Sequence, residues 1–174
     1  MQTLRSGQAF PVQEVARTGG GTLSLGHPRS DGDWQMVVVY RGLHCPLCKT
    51  YLAKLEELSG RYREIGIEVV AVSGDPEDRA QTMAEELGLS LPVGHGLSLD
   101  QMRELGLYVS DPRGPDETDR PFPEPGLFVI NGEGLLQILD ISNAPFARPD
   151  LEALARGLEF IRANGYPIRG TRAA

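Results

Sequence analysis

MVVVYRGLHCPLC, residues 36–48, joins an apolar run to the only two cysteines of this 174-residue chain. The run Met36–Tyr40 is rich in β-branched residues and shows no polar alternation, which is typical of a strand covered on both faces. A pattern with helical spacing begins near Leu47, directly after the first cysteine. The segment therefore predicts a buried strand, a turn and a helix that starts at the pair Cys45 and Cys48.

The position of Cys45 at a helix start favours an ionised thiol. Unpaired backbone N–H groups and the positive end of the helix dipole point towards it, and Pro46 suits the first helical position. In such settings the pKa of a cysteine falls from ~8.5 to between about 3.5 and 7.5. Cys48 lies one turn further on, on the apolar face. We therefore expect Cys45 to be the more exposed and more acidic thiol.

The elements that follow the cysteines predict a parallel crossover. The first helix carries an apolar stripe on one face; its members are Cys48, Tyr51, Leu52, Leu55, Leu58 and Tyr62. Ile67–Val72 follows as a second core strand, so strand, helix and strand form a βαβ unit with parallel strands. A second helix runs to Gly88, and we interpret Ser73 and Asp75 as its N-terminal cap.

Turn residues divide the rest of the chain into short elements. Val12–Leu25 contains three central glycines and predicts an N-terminal hairpin. Proline is tolerated in edge strands, so Pro92 predicts that Leu91–Val93 is an edge segment. Val109–Gly126 is predicted to be a long surface loop. An Asn-Gly turn makes Leu127–Ile141 a hairpin, and an amphipathic helix closes the fold over Pro149–Gly165.

Size and composition indicate one globular domain. The chain is 40% hydrophobic and 24% charged, so we predict a single domain over residues 1–174, with a core at about 8–165 and a flexible tail at 166–174. The net charge of -7 argues against nucleic acid or an anionic membrane as partner. No apolar run approaches ~18 residues, and residues 1–7 lack an apolar signal region. We therefore expect a cytoplasmic location and no membrane partner.

The order of strand, C-x-x-C helix, strand, helix, loop, proline, hairpin and helix resembles the thioredoxin fold. VVVYRG at 37–42 and VVAVSGD at 69–75, together with the N-terminal hairpin, are similar to the alkyl hydroperoxide reductase and thiol-specific antioxidant (AhpC/TSA) branch, the peroxiredoxin-like proteins. The resemblance runs from about Gln8 to Gly165. It implies an α/β, thioredoxin-like fold, in which helices flank a central mixed β-sheet with an extra N-terminal β-hairpin. It also implies that Pro125 matches the cis-proline that faces the C-x-x-C site.

Several positions depart from the patterns of these families. Peroxiredoxins carry proline and threonine where this chain has Val38 and Gly42, and an arginine where it has Pro125. The hydroxyl that orients a peroxide is therefore missing, and we expect a slow reaction with peroxide, with Arg41 as a candidate substitute for the arginine. Thioredoxins carry a buried aspartate where this chain has Val39, so the handling of protons must differ as well.

We interpret the cysteine pair as a redox site that needs no bound cofactor and no metal. Cys45 would attack a peroxide oxygen or a disulfide sulfur, Cys48 would resolve the intermediate, and an external thiol would reduce the disulfide. Arg41 and His44 are supporting candidates, because a cation near Cys45 stabilises its thiolate. The alternative for each is a surface charge or an exposed histidine without a role.

Two other functions stay open at this point, a metal-binding module and a catalytically inert thioredoxin-like interaction module. Structural zinc requires four ligands, and the other soft candidates, His27, His44 and His95, are scattered over predicted loops. The sequence does not choose between peroxide and disulfide as substrate. It also leaves the oligomeric state open, with a homodimer as one candidate.

Overall fold

The computed structural model describes residues 4–28 and 33–172. Its strands are β1 (Gln13–Arg17), β2 (Thr22–Leu25), β3 (Trp34–Val39), β4 (Ile67–Val72), β5 (Val93–His95), β6 (Val109–Ser110), β7 (Phe122–Pro123), β8 (Gly126–Ile130) and β9 (Leu136–Ile141). Its helices are α1 (Pro46–Glu64), α2 (Glu77–Leu87), α3 (Leu99–Glu104) and α4 (Leu151–Asn164). None of the helices in these two ranges is long and apolar enough to cross a membrane.

A seven-stranded mixed sheet with the order β2-β1-β5-β4-β3-β8-β9 forms the centre of the fold. β3 pairs in parallel with β4 and antiparallel with β8, and β4 pairs in parallel with β5. Every residue from Gln35 to Val39 is buried. The predicted βαβ unit, the N-terminal hairpin and the hairpin of β8 and β9 are all present.

Side chains of β3 alternate between two layers of core, as the pleat of a strand requires. Met36 and Val38 pack with residues of α1, α2 and α4 on one face of the sheet. Val37 and Val39 pack with α3 and with Phe10 on the other face. Helices therefore cover both faces, and the next residue after β3, Tyr40, lies in the layer of α1.

The prediction of an edge segment at Leu91–Val93 is wrong. β5 is an interior strand, because β1 pairs with it on one side and β4 on the other. Pro92 lies just before the strand, and its carbonyl accepts a hydrogen bond from the Ala71 N–H at 3.0 Å. The predicted loop at 109–126 also contains regular structure, since β6 and β7 pair within it.

The predicted cap of α2 is wrong too. Pro76 is the N-cap residue, and no side chain caps the helix. The Asp75 carboxylate instead accepts a hydrogen bond from the Leu43 N–H at 2.7 Å, and the Ser73 hydroxyl accepts one from the Asp75 N–H at 3.2 Å. Asp75 is therefore turned away from α2 and towards the loop that precedes the cysteines.

Candidate active site

Cys45 is the N-cap residue of α1, and Pro46 occupies the first helical position as predicted. The Cys45 Sγ accepts a hydrogen bond from the Cys48 N–H at 3.3 Å. The Cys45 carbonyl accepts from the N–H groups of Cys48 and Lys49. The two thiols thus lie one turn apart at the positive end of a 19-residue helix.

The two thiols differ in acidity. A hydrogen bond from the Cys48 thiol lowers the pKa of Cys45 to about 6, and the charges of Arg41 and Arg148 act in the same direction. The same hydrogen bond, followed by burial, raises the pKa of Cys48. At neutral pH the pair therefore holds one thiolate, on Cys45, and one proton, on Cys48. This order of acidity agrees with the order predicted from the sequence.

The exposure of the two thiols does not differ as predicted. Cys45 is 1% exposed and Cys48 is 0% exposed. Both cysteines belong to the core layer that includes α1, and the segment 111–124 packs against Arg41 and His44, just before Cys45. Both thiols are therefore buried in this conformation of the protein.

Arg41, which directly follows Tyr40 after β3, contacts several residues of the segment 111–124. Its guanidinium lies 3.5 Å from a carboxylate oxygen of Glu117 and 3.4 Å from one of Glu124. It also lies over the Phe122 ring, at 4.7 Å from the centroid. Its charge lowers the pKa of Cys45. Arg41 is thus near the thiolate, as the sequence suggested, but it is also paired with two acids.

His44 lies between the segment 111–124 and Asp75. Its ring contacts Phe122, with 4.7 Å between ring centroids, and burial lowers its pKa. A Cβ atom on Gly42 would come within 3.0 Å of both the Asp75 carboxylate and His44 Nδ1. The absence of a side chain at Gly42, which has φ of 146°, is what lets the carboxylate and the imidazole approach each other.

Arg148 is a residue of the site that the sequence analysis missed. Its Nη1 lies 3.7 Å from Cys48 Sγ, and its other nitrogens donate to the carbonyls of Leu47 at 3.0 Å and Pro145 at 2.8 Å. The guanidinium also stacks over Tyr51 at 4.0 Å. The guanidinium of Arg148, just before α4, is thus held next to the Cys48 thiol. The sequence around it carries no signal, because the contact depends on where β9 ends relative to α1.

Pro125 does not have the cis peptide bond that the family resemblance implied, since the described residues contain none. Pro125 is buried directly before β8. Its carbonyl accepts a hydrogen bond from the Ser142 N–H at 3.0 Å, so the residue extends the pairing of β8 and β9. The implied cis-proline is therefore corrected to a trans-proline at the edge of this hairpin.

No metal site is formed by the part of the chain that the structure describes. Within residues 4–28 and 33–172, no group of three or more histidine, cysteine, aspartate and glutamate side chains is arranged to hold a metal ion.

Comparison with known proteins assigns the chain to a family. The model of the AhpC/TSA family matches residues 6–138. The chain belongs to the AhpC/TSA family. The family predicted from the flanks of the C-x-x-C pair is thus confirmed.

Two known proteins are similar in sequence to this AhpC/TSA chain. It is 33% identical over 93 residues to the thiol-disulfide oxidoreductase ResA of Halalkalibacterium halodurans, which covers 53% of this chain and 46% of the relative. It is 30% identical over 112 residues to peroxiredoxin-2 of Macaca fascicularis, which covers 62% of this chain and 54% of the relative. The chain thus spans about half the length of each relative.

Solved structures confirm the predicted fold class. A peroxiredoxin-like protein from Aquifex aeolicus superposes with a TM-score of 0.76 at 17% identity, over 92% of this chain and 90% of that chain. AhpC of Mycobacterium bovis superposes with a TM-score of 0.75 at 13% identity, over 99% of this chain and 100% of that chain. At these identities the similarity shows the fold alone, an α/β sheet of the thioredoxin-like type.

Proposed function

We propose that this AhpC/TSA protein is a thiol-dependent oxidoreductase that cycles Cys45 and Cys48 between a dithiol and a disulfide. The observation that carries the proposal is the acidic thiol of Cys45 at the start of α1, one turn from a protonated second thiol. Relatives named as a thiol-disulfide oxidoreductase and a peroxiredoxin support the same class of chemistry.

With a disulfide substrate, the Cys45 thiolate attacks one sulfur and the other sulfur leaves as a thiolate. This step gives a mixed disulfide between Cys45 and the substrate. Cys48 then loses its proton and attacks Cys45 Sγ, the bond to the substrate breaks, and the second substrate thiolate leaves. Two electrons have passed from the protein to the substrate. An external thiol reductant restores the dithiol by the reverse exchange.

With a peroxide substrate, the Cys45 thiolate attacks one oxygen, the O–O bond breaks, and the leaving oxygen takes a proton as water or an alcohol. Cys45 becomes a sulfenic acid, which condenses with the Cys48 thiol to release water. We propose this as the slower reaction, because Gly42 provides no hydroxyl to orient the peroxide and Pro125 stands where the family arginine is expected.

Arg41 and Arg148 are proposed to support the first step, because both lower the pKa of Cys45. Arg148 also donates to Cys48 Sγ and would hold the second thiolate as it forms. His44 is proposed as a supporting group through the contact of its ring with Phe122, over which the Arg41 guanidinium also lies. Pro125 is proposed as a wall of the site, without the cis geometry.

Stopped-flow oxidation of the reduced protein tests this proposal. The oxidants are hydrogen peroxide, an organic hydroperoxide and a model disulfide, and the product is mapped by mass spectrometry. We expect a Cys45–Cys48 disulfide with each oxidant, and a rate constant for hydrogen peroxide well below about 10⁷ M⁻¹s⁻¹. Cys45→Ser should abolish the reaction, whereas Cys48→Ser should stop at the mixed disulfide with the model disulfide and at the sulfenic acid with the peroxides.

Two outcomes contradict the proposal in different ways. A peroxide rate constant of about 10⁷ M⁻¹s⁻¹ or more would make the protein an efficient peroxidase, with Arg41 or Arg148 as the substitute for the family arginine. Failure of every oxidant to form the disulfide would favour the inert interaction module.

We also propose a cytoplasmic location, because a dithiol that must be regenerated by thiols suits a reducing compartment. The proposed partners are a peroxide or disulfide substrate and a thiol reductant. A homodimer is one candidate assembly, and sedimentation of the reduced protein would test it.

A further inference from the structure

The Arg41 side chain starts close to the thiol of Cys45. The Cys45 N–H donates to the Gly42 carbonyl at 3.1 Å, so this turn brings Cys45 back towards the end of β3. The Phe122 ring contacts both sides of the turn, because its centroid lies 4.7 Å from the Arg41 guanidinium carbon and 4.7 Å from the centroid of the His44 ring. The guanidinium is thus one aromatic ring away from the residue that directly precedes Cys45.

A buried carboxylate faces the Nε group of this guanidinium. Glu124 is 5% exposed, and its Oε2 lies 3.4 Å from Arg41 Nε. Both atoms are buried and have no hydrogen-bond partner in the described part of the chain, so the ion pair between them compensates their burial. The other carboxylate oxygen accepts from the Ser110 hydroxyl at 2.7 Å, and the Glu124 N–H donates to the Tyr108 carbonyl at 2.8 Å. Glu124 is therefore fixed in place on β6 and the residue before it.

A second carboxylate faces the Nη2 group. Glu117 Oε1 lies 3.5 Å from Arg41 Nη2, and its Oε2 accepts from the Arg113 N–H at 2.8 Å. The hydrogen bonds from Arg113 lower the pKa of Glu117, so this residue is a carboxylate at neutral pH. Two donor groups of Arg41 thus face acids, while the Phe122 ring covers one face of the guanidinium.

We propose that Glu124 and Glu117 set the preference of the site for disulfides over peroxides, by occupying the N–H groups of Arg41 that a peroxide would need. This inference rests on the proposed function. The two acids are positioning residues, because they act on the reaction through Arg41.

The two oxidants differ in how much they need a donor near Cys45. With a peroxide, Cys45 Sγ bonds to one oxygen, the O–O bond breaks, and the other oxygen leaves with the electron pair and takes a proton from solvent. Negative charge develops on that oxygen, and an arginine N–H stabilises it. With a disulfide the electron pair leaves on sulfur, which is a weaker hydrogen-bond acceptor. A free Arg41 should therefore accelerate the peroxide reaction more than the disulfide reaction.

Rate constants with two oxidants test this preference. Reduced protein is mixed with hydrogen peroxide or with dithiobis(nitrobenzoate) in a stopped-flow instrument, at a pH well above the Cys45 pKa of about 6. We expect Glu117→Gln to raise the peroxide rate constant by about tenfold, which is less than a preorganised donor to an oxyanion provides. The disulfide rate constant should stay unchanged. Glu124→Gln should have the same effect, and neither substitution should change the peroxide rate constant in an Arg41→Ala background.

Glu159→Gln is the matched control, because Glu159 also pairs with an arginine, Arg61 at 2.6 Å, but does so at the last turn of α1. It should leave both rate constants unchanged. Arg79→Ala separates a change in preference from a change in access, because Arg79 contacts the segment 111–124 at Thr118 and Asp119. It should change the two rate constants by the same factor.

Two results would overturn the inference. One is an unchanged ratio of the two rate constants in Glu117→Gln and Glu124→Gln, and the other is a gain with peroxide that persists in the Arg41→Ala background. If Glu124→Gln does not fold, as judged by circular dichroism, Glu117→Gln carries the same test. Failure of both oxidants to form the Cys45–Cys48 disulfide in the wild type would instead overturn the proposed function.

Discussion

Cys45 is the residue whose chemistry depends most directly on pH. Its pKa is lowered to about 6, so its thiolate fraction increases as pH rises through that value. We predict that alkylation of the reduced protein by iodoacetamide increases with pH and has its midpoint near that pKa, with Cys45 as the labelled residue. Rates measured across the pH range, with peptide mapping, check this. Labelling of Cys48 first at acidic pH would contradict the assigned roles.

A substitution of Arg148 tests the cause of the low Cys45 pKa in the same alkylation experiment. Its charge lowers the pKa of both thiols, so Arg148→Gln should move the midpoint of alkylation to higher pH. Arg156→Gln, at an exposed position of α4, is the matched control and should leave the midpoint in place. An equal midpoint in the two variants would show that Arg148 does not act on Cys45.

Single residues also mark the limit of what the sequence could predict about the site. The acidity of Cys45 follows from local geometry, a strand end followed by Pro46 at a helix start, and local geometry can be read from sequence. Arg148 and Asp75 reach the site through the packing of distant elements. The sequence favoured a cap at Asp75, because capping is the commonest local explanation for an acid before a helix.

Among the elements, the segment 111–124 packs against Arg41 and His44, directly before the thiols, and we expect it to limit access to them. Arg79 of α2 holds it by donating to the Thr118 hydroxyl at 3.0 Å and to Asp119 at 2.7 Å. We predict that Arg79→Ala increases the alkylation rate of Cys45 at fixed pH by about two- to fivefold, since exposed ion pairs contribute only ~0.2–1 kcal/mol. Rapid-quench alkylation with a small reagent measures this.

Arg103→Ala is the control for that experiment, because Arg103 also pairs with an acid, Asp100, but does so on α3. It should leave the rate unchanged. Equal rates in wild type and Arg79→Ala would mean that the segment 111–124 does not limit access.

Elements with a continuous apolar run or a clear helical period were predicted from the sequence, and short elements with neither were not. β4 was predicted at Ile67–Val72, and α1 follows the cysteines as expected. The pairing of β6 with β7 involves two residues on each strand, which is too short for a period to show. The interior place of β5 depends on the return of the N-terminal hairpin, a long-range contact that no local pattern encodes.

At the scale of the whole molecule, the two core layers should hold the fold without the cysteines. We predict that the double variant Cys45→Ser, Cys48→Ser stays folded and has no thiol redox activity. Serine is a good N-cap, so the main loss comes from a hydroxyl buried at position 48, about 1–3 kcal/mol. Domains of this size have ~5–15 kcal/mol of stability. Urea unfolding followed by circular dichroism measures the difference.

The metal content of the purified wild-type protein should be measured together with the stability of the double variant. An unfolded double variant, together with stoichiometric zinc or iron in the purified wild type and a lower melting temperature after chelation, would favour the metal-binding module. The organisation as a single domain over residues 1–174 stays a prediction, as does the flexible tail at 166–174.

The contact between Arg148 and Cys48 couples the reduction potential of the Cys45–Cys48 pair to the packing of α4 against α1. The guanidinium is a partner for a thiol or thiolate sulfur, and a disulfide sulfur is a poorer acceptor, so the segment before α4 is held more firmly in the dithiol state. Coupling of this kind is reciprocal. Anything that tightens the packing of α4 against α1 therefore stabilises the dithiol and makes the disulfide a stronger oxidant, whereas anything that loosens it makes the dithiol a stronger reductant.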